Sequence, residues 1–166
     1  MTVTVITVSD RASRGQYEDR SGPAVEQEIL TRYPGAQVTR RVVADEPDQI
    51  TAALEQSAGA DFILTTGGTG ISPRDVTPEA TRAFCDRELP GVAETLRAES
   101  MRETPNAMLS RGYAGLRGTA IVVNFPGSVA AVRLCMKVLG PIMEHAMAMT
   151  RGQGHGPSRT PRPSPG

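Results

Sequence analysis

The sequence contains very little lysine. Lys137 is its only lysine, and all other positive side chains are arginines. A Walker A loop needs a Gly-Lys pair followed by Ser or Thr, and Lys137 falls inside the predicted last helix, so the chain has no P-loop. The 18 basic side chains are balanced by 18 acidic ones. This balance argues against a nucleic-acid-binding protein, which normally carries a basic surplus.

Histidine and cysteine are also scarce, and their scarcity excludes several kinds of catalysis. His145 lies late in the predicted last helix and His155 near the C-terminus, so neither fits a Ser-His-Asp or Cys-His arrangement. Cys85 and Cys135 are far apart without C-x-x-C spacing, which argues against a zinc site and a disulfide scaffold. Phosphoryl or nucleotidyl transfer from Mg-ATP remains, because positioning and charge neutralisation supply most of its catalysis.

No apolar run approaches the about 20 residues that a transmembrane helix requires. The N-terminal MTVTVITVSD enters a strand pattern directly, without a basic leader. We therefore expect a cytoplasmic protein that does not act at a membrane. The length of 166 residues suits one domain, predicted at 1–150. The remaining residues, 151–166, lack core-forming side chains and are predicted to be a disordered tail. Deletion of Gly152–Gly166 is expected to leave assembly and activity intact.

Strand and helix patterns alternate along the domain. Apolar and β-branched runs predict strands at Thr2–Val8, Gln37–Ala44, Asp61–Thr66 and Thr119–Asn124. Ser9–Asp19 is predicted to be a loop, and helices are predicted to begin near Ser21, Pro47, Thr77, Val92 and Ser128. Ser21, Thr77 and Ser128 are predicted to be the N-caps of their helices, and Gly140-Pro141 is predicted to kink or interrupt the last helix. Continuous apolar strands predict a three-layer α/β/α fold with a mostly parallel sheet. Ligands of such sheets bind beyond the carboxyl ends of the strands.

The segment TTGGTG, Thr65–Gly70, follows the third predicted strand. Its glycines allow positive φ and close approach to a ligand, and successive backbone N–H groups in such a turn can converge on an anion. The turn follows the third strand with the wrong spacing for a Rossmann fingerprint. We interpret it as a phosphate-binding turn, the alternative being a tight turn without a ligand.

Three carboxylates follow the strand ends. Asp45 and Glu46 come after the second strand, and Asp75 comes shortly after the turn. Mg²⁺ is usually held by one or two carboxylates together with substrate phosphates, and it would relieve repulsion between a carboxylate and a bound phosphate. We therefore predict Asp45, Glu46 and Asp75 as metal ligands; for Glu46 a helix cap before Pro47 is an equal alternative.

Five motifs together resemble the Mog/MoaB family of molybdopterin adenylyltransferases. They are VSDRAS, VADE, TTGGTGISPRDVTPEAT, LSRG and VNFPGS, in the family's order over roughly Thr2–Thr150. The resemblance implies a molybdopterin-binding-domain-like fold that usually forms trimers and sometimes hexamers. It also implies molybdenum cofactor biosynthesis, in which ATP and molybdopterin give adenylyl-molybdopterin and pyrophosphate with Mg²⁺.

The resemblance also assigns residues. Asp45 and Asp75 match the family's catalytic carboxylates. It implies ATP binding by Thr66, Gly67, Gly68, Thr69, Gly70, Pro126, Gly127 and Ser128, and pterin-phosphate binding by Ser9, Asp10, Ser110 and Arg111. A molybdotransferase is an expected partner. Two alternatives remain on the same fold: a non-catalytic pterin-binding or carrier module, and a nucleotide pyrophosphatase.

Overall fold

The sheet is built around a buried strand, β1 (Thr2–Val8), that pairs in parallel on both sides. Its neighbours are β2 (Gln37–Val43) and β3 (Phe62–Thr66), and β3 in turn pairs in parallel with β6 (Ala120–Phe125). These are the four predicted strands. The computed structural model describes residues 1–153 and confirms the mostly parallel sheet.

Two short strands extend the sheet beyond β6. β5 (Ala114–Arg117) pairs antiparallel with β6, and β4 (Arg87–Glu88) pairs antiparallel with β5. The strand order is β2-β1-β3-β6-β5-β4. Neither short strand was predicted, so the sheet has six strands in place of the expected four.

Helices cover both faces of the sheet, which confirms the three-layer α/β/α fold. Their bounds are α1 (Asp10–Ser13), α2 (Ser21–Arg32), α3 (Pro47–Glu55), α4 (Thr77–Phe84), α5 (Pro90–Met101), α6 (Val129–Leu139) and α7 (Met143–Thr150). On one face α2, α5, α6 and α7 pack on Val5, Leu64 and Val123. On the other face α3 and α4 pack on Ile6, Ile63 and Val122. Side chains at alternate positions along each central strand therefore pack into two separate cores, and these strands carry apolar side chains on both faces.

Three local expectations were wrong. The predicted loop Ser9–Asp19 contains the single-turn helix α1, which Ser9 caps by accepting a hydrogen bond from the Ala12 N–H. Ser21 does not cap α2; Asp19 does so, accepting from the Gly22 N–H at 3.0 Å. Thr77 does not cap α4, because it is fully buried and its hydroxyl donates to the Gly67 carbonyl.

The last helix is interrupted where Gly140-Pro141 predicts it, and the chain makes a 3₁₀ turn there before α7. After α7, the Arg151 guanidinium donates to Asp61 at 2.6 Å, so the predicted tail begins with an anchored residue. Residues 154–166, the rest of that tail, lie outside the described residues. No helix in the described part of the chain is long and apolar enough to span a bilayer.

Candidate active site

The parallel strand order brings four predicted segments to one edge of the sheet. Ser9 follows β1, Asp45 follows β2, Gly67 follows β3 and Pro126 follows β6. The strand ends are joined directly, because the Ser9 N–H donates to the Val43 carbonyl at 2.9 Å and the Gly67 N–H donates to the Phe125 carbonyl at 3.1 Å. This is the edge where ligands of parallel sheets bind.

The turn after β3 requires glycine at two positions. Gly67 has φ +97° and Gly68 has φ +62°, both in the left-handed region. A Cβ atom on Gly67 would lie 2.3 Å from the Val8 carbonyl oxygen, and one on Gly68 would lie 2.3 Å from the Thr77 hydroxyl. The turn is therefore pressed against β1 and the start of α4, and no larger residue fits either position.

Some donors of the turn are used within the protein and others are free. Besides the Gly67 N–H, the Thr66 hydroxyl is engaged, donating to the Pro126 carbonyl at 2.9 Å. Across residues 1–153, the N–H groups of Gly68, Thr69 and Gly70 find no protein acceptor. Consecutive free N–H groups in a left-handed turn form an anion-binding concavity. The structure thus offers donors for phosphate at three of the five predicted turn residues.

The segment Pro126–Ser128 faces this turn and begins α6. Gly127 lies so close to Gly67 that a Cβ atom on it would be 3.3 Å from the Gly67 Cα. Ser128 caps α6 by accepting from the Ala131 N–H at 3.2 Å. Within the described chain the N–H groups of Gly127 and Ser128 have no acceptor, so the start of α6 adds donors beside the turn.

Asp45 and Asp75 approach the turn from two sides. A Cβ atom on Gly68 would lie 3.1 Å from Asp45 Oδ1, and one on Gly70 would lie 2.9 Å from Asp75 Oδ2. Burial raises the pKa of Asp45, and the negative charges of Asp10 and Asp75 add to this, against the lowering effect of the Asp10 N–H that Asp45 accepts at 2.7 Å. The two predicted catalytic carboxylates thus repel each other across the turn.

A second group of charges surrounds Asp10. Arg74 donates to both carboxylate oxygens of Asp10, at 2.9 Å and 3.0 Å, and to Glu46 at 2.7 Å. Slight burial opposes ionisation of Asp10, but the hydrogen bonds from Arg74 and from the Asp45 backbone lower its pKa. Asp10 and Asp45 also exchange backbone–carboxylate hydrogen bonds, so Arg74 is linked through Asp10 to Asp45.

The predicted metal ligands do not form a ready-made three-ligand site. Among residues 1–153 no three acidic, histidine or cysteine side chains come together as a metal-binding group. Glu46 occupies the N-cap position of α3, but its side chain makes no cap hydrogen bond and pairs with Arg74 instead; metal binding by Glu46 stays a prediction. Asp45 and Asp75 alone match the one or two carboxylates that Mg²⁺ takes beside phosphates.

Arg111 makes contacts with the turn that the sequence did not predict. Its N–H donates to the Thr69 carbonyl at 2.8 Å and its Nε to the Gly70 carbonyl at 2.7 Å. The remaining guanidinium nitrogens donate to the Asp75 carbonyl and to the Glu79 carboxylate. Burial opposes ionisation of Glu79, but the hydrogen bonds and charge of Arg111 outweigh it and lower the pKa of Glu79.

Two cavities flank the turn. One, of about 380 Å³, is mostly apolar and is bounded by Leu96, Leu109, Ser110 and Thr69. The other, of about 350 Å³, is more polar and is bounded by Ser9, Tyr17, Asp19 and Thr66. Ser128 borders both. The predicted pterin group is therefore divided, because Ser9 and Ser110 lie on opposite sides of the turn; which ligand each contacts stays a prediction.

Sequence reasoning missed two residues that hold the apolar cavity together. Arg97 on α5 donates to the Ser110 carbonyl at 2.9 Å and to the Gly112 carbonyl at 3.2 Å. The buried Asn124 amide donates to Thr65 and to Thr81. Asn124 was visible as a polar residue ending an apolar strand, whereas Arg97 carried no signal in its own segment.

Comparison with known proteins identifies the family. A family model described as a probable molybdopterin binding domain matches residues 4–145. A molybdopterin adenylyltransferase from Helicobacter pylori strain J99 is 39% identical over 155 residues, covering 90% of this chain and 88% of that relative. A molybdenum cofactor biosynthesis bifunctional protein from Synechococcus elongatus is 42% identical over 155 residues, covering 92% of this chain and 48% of the relative.

Solved structures agree. The crystal structure of the molybdopterin biosynthesis enzyme MoaB from Thermus thermophilus matches with a TM-score of 0.83 and 41% identity, covering 91% of this chain and 96% of that one. Sequence, fold and the motifs that surround the turn thus lead to one conclusion: this chain belongs to the family of molybdopterin binding domains that includes the Mog and MoaB proteins.

Proposed function

We propose that the protein is a molybdopterin adenylyltransferase of molybdenum cofactor biosynthesis. It transfers the adenylyl group of ATP to molybdopterin and releases pyrophosphate. The observation that carries the proposal is the turn Gly67–Gly70, whose free N–H groups lie between Asp45 and Asp75. An activity of this name is given to the Helicobacter pylori relative, which this chain matches over nine-tenths of its length.

Asp45 and Asp75 are the side chains that we propose as ligands of Mg²⁺. Their oxygens are the hard donors that this ion takes, and their mutual repulsion, with the raised pKa of Asp45, favours a cation between them. When bound, Mg²⁺ supplies neutralisation of phosphate charge. Glu46 is the weakest of the three predicted ligands, because Arg74 already neutralises it.

The reaction needs positioning more than proton transfer. A terminal phosphate oxygen of molybdopterin forms a bond to the α-phosphorus of ATP. The bond between that phosphorus and the oxygen that bridges to the β-phosphate breaks, and pyrophosphate leaves with the electron pair. A phosphate is already anionic near neutral pH, so no general base is required. The N–H groups of Gly68, Thr69 and Gly70 then bind phosphate oxygens whose negative charge grows during transfer.

One assay tests the function. Purified protein is incubated with Mg-ATP, with and without molybdopterin, and pyrophosphate and adenylyl-molybdopterin are measured. We expect both products only when the pterin is present. Pyrophosphate release without pterin would support a nucleotide pyrophosphatase, and pterin binding without any release would support a carrier module.

The assembly and location of the protein are also proposals. We expect a homotrimer in solution, as the family resemblance implies, which sedimentation velocity can test. The Synechococcus elongatus relative is a bifunctional protein twice as long as the matched region, and this supports a second cofactor-synthesis enzyme as a partner. The prediction of a cytoplasmic protein stays a prediction.

A further inference from the structure

Arg111 joins three parts of the site that are separate in the sequence. Its guanidinium spans the Gly70 carbonyl, the Asp75 carbonyl and the Glu79 carboxylate, while its own N–H binds the Thr69 carbonyl. The first two partners are the two ends of one segment, Gly70–Asp75. Arg111 therefore closes this segment like a ring, from a position about 40 residues later in the chain.

Apart from Arg111, the segment is connected to the rest of the protein by the side chain of Arg74, which pairs with Asp10 and Glu46. Ile71 is 67% exposed, and Ser72, Pro73 and Arg74 are exposed as well. Inside the segment the Ser72 N–H donates to Asp75 Oδ2 at 2.9 Å, and the Asp75 N–H donates to the Ser72 carbonyl at 2.9 Å. These two bonds shape the turn before Asp75 but do not connect it to the rest of the protein.

We propose that Arg111 is a positioning residue for Asp75. By holding both ends of Gly70–Asp75 it fixes the Asp75 carboxylate at its distance from the free N–H groups of the turn. The inference rests on the proposed function, because Asp75 is there a ligand of the Mg²⁺ that accompanies ATP. It also revises the predicted role of Arg111 as a phosphate-binding residue.

The hydrogen-bond inventory of Arg111 supports this role over direct substrate binding. A guanidinium has five N–H donors in a fixed plane, and in Arg111 the Nε, Nη1 and Nη2 atoms each donate to protein oxygens. Lysine cannot reproduce the arrangement, because all its donors are on one ammonium nitrogen, whereas the three acceptors are separated and lie around a planar guanidinium. Arg111→Lys therefore keeps the charge and removes the closure.

Hydrogen–deuterium exchange of the free protein tests the closure without any substrate. In Arg111→Lys and Arg111→Ala we expect faster exchange of the hydrogen-bonded amides of Ser72, Arg74 and Asp75, with the amides of β1, β3 and β6 unchanged. The matched control is Arg40→Lys. Arg40 lies on β2, away from the site, is exposed to a similar degree, and pairs with Glu26 of α2 at 2.7 Å. If these amides exchange at the wild-type rate in both Arg111 variants, the proposal is overturned.

Steady-state kinetics test the consequence for Asp75. We expect Arg111→Lys to lower kcat for adenylylation by about 10- to 100-fold, as a displaced catalytic group does, and to raise the Mg²⁺ concentration needed for half-maximal rate. The KM for molybdopterin stays near the wild-type value. The opposite result is a higher KM for molybdopterin that explains the whole loss of kcat/KM, with an unchanged Mg²⁺ dependence. It would show that Arg111 binds the pterin phosphate and would contradict the proposal.

Glu79→Gln is a further variant that keeps the proposal testable if the two Arg111 variants misfold. It removes the charge partner of Arg111 but leaves the bonds to Gly70 and Asp75 available, so we expect a smaller loss than in Arg111→Lys with the same Mg²⁺ signature. If wild-type protein forms no adenylyl-molybdopterin, the proposed function fails. The exchange measurement still decides whether Arg111 closes the segment.

Discussion

The surroundings of the Asp45 carboxyl group disfavour its ionised form. Burial and the neighbouring charges of Asp10 and Asp75 raise its pKa, and only the Asp10 N–H and Arg74 favour ionisation. A protein that required only stability would not gather these acids at one sheet edge. The arrangement is the one expected of a site that receives a cation together with phosphates.

Replacement of Asp45 by Asn separates activity from stability. The Asn carbonyl can still accept from the Asp10 N–H, so the fold is retained, while the negative charge is lost. We expect adenylylation to fall by about 100-fold or more, the scale for loss of one electrostatic catalytic group. The free energy of unfolding should be equal or higher, because like-charge repulsion is relieved.

The measurements are pyrophosphate release and urea denaturation on the same preparation. Asp48→Asn is the control, since Asp48 is an exposed carboxylate in the first turn of α3 with no hydrogen bond or ion pair among residues 1–153. Full activity of Asp45→Asn would rule out Asp45 as a metal ligand. Asp75→Asn should behave in the same way.

A different acid, Asp61, links the ends of the described chain. It accepts hydrogen bonds from the Thr2 N–H at 2.7 Å and from Arg151 at 2.6 Å. Burial opposes its ionisation, but these hydrogen bonds lower its pKa below the usual 3.8. A lowered folded-state pKa stabilises the protein above the unfolded-state pKa, and this stabilisation disappears as the pH falls through the folded-state value.

Asp61→Asn should therefore destabilise the protein at pH 7, and this loss should shrink as the pH falls below about 4 and through the lowered folded-state pKa of Asp61. The expected result is a gap in the free energy of unfolding between wild type and variant that narrows as the pH falls below about 4. Urea denaturation at several pH values measures it, with Asp48→Asn as the exposed control. A gap that is constant over this range would show that Asp61 acts through shape alone.

Among the structural elements, the glycine turn carries the strongest steric demand. Gly67→Ala combines a φ of +97° with a Cβ–oxygen distance of 2.3 Å, whereas Gly118→Ala has a φ of +57° and no atom within 4 Å of its Cβ. We expect Gly118→Ala to lower the free energy of unfolding by about 1 kcal/mol, from backbone strain alone. Gly67→Ala should lower it by about 2 to 4 kcal/mol, because the clash with Val8 adds to the strain.

Chemical denaturation of the two alanine variants and wild type gives both values. Equal losses at the two positions would mean that the turn moves away from β1 without cost. Adenylylation should follow the same order, since the free N–H groups shift together with Gly67.

The long elements were predictable from sequence, and the short ones were not. β1 and β3 are runs of buried side chains and need no partner to be recognised. β4 has two residues and β5 has four, with Gly115 inside, so neither has a period that could indicate a strand. They are strands because β6 offers an edge with which they can pair, and that edge exists only in the folded sheet.

The same distinction holds in the site. The turn and the carboxylates Asp45 and Asp75 were predictable, because each follows a strand whose carboxyl end must lie at the ligand-binding edge. The contacts of Arg111 with Gly70 and of Arg97 with Ser110 were not predictable, since side-chain directions across loops depend on the packing of α4 and α5. Sequence therefore placed the turn and the two carboxylates at one edge of the sheet, but it did not predict the contacts that Arg111 and Arg97 make there, and the ligands of the site stay predictions.

At the scale of the molecule, the segment 154–166 contains no Val, Ile, Leu, Met, Phe, Tyr or Trp residue, and two cores are formed by residues 1–153. The core on the α2 and α6 face includes Met143 and is extended by Met147, and the core on the α3 and α4 face includes no residue beyond Val122. We therefore expect deletion of 154–166 to leave the melting temperature, the oligomeric state and the adenylylation rate unchanged. A lower melting temperature or rate would show that the C-terminal residues contribute contacts of their own.

The pairing of β3 with β6 has a consequence for synthesis of the protein. Thr65 and Asn124, joined by a hydrogen bond across these strands, are 59 residues apart. On the ribosome, β1, β2 and β3 are finished well before β6 emerges, and the outer edge of β3 stays open in the meantime. β3 is buried along its whole length in the mature sheet and begins with three apolar residues, Phe62–Leu64. The nascent chain therefore passes through an interval in which an aggregation-prone strand edge is exposed and available to chaperones.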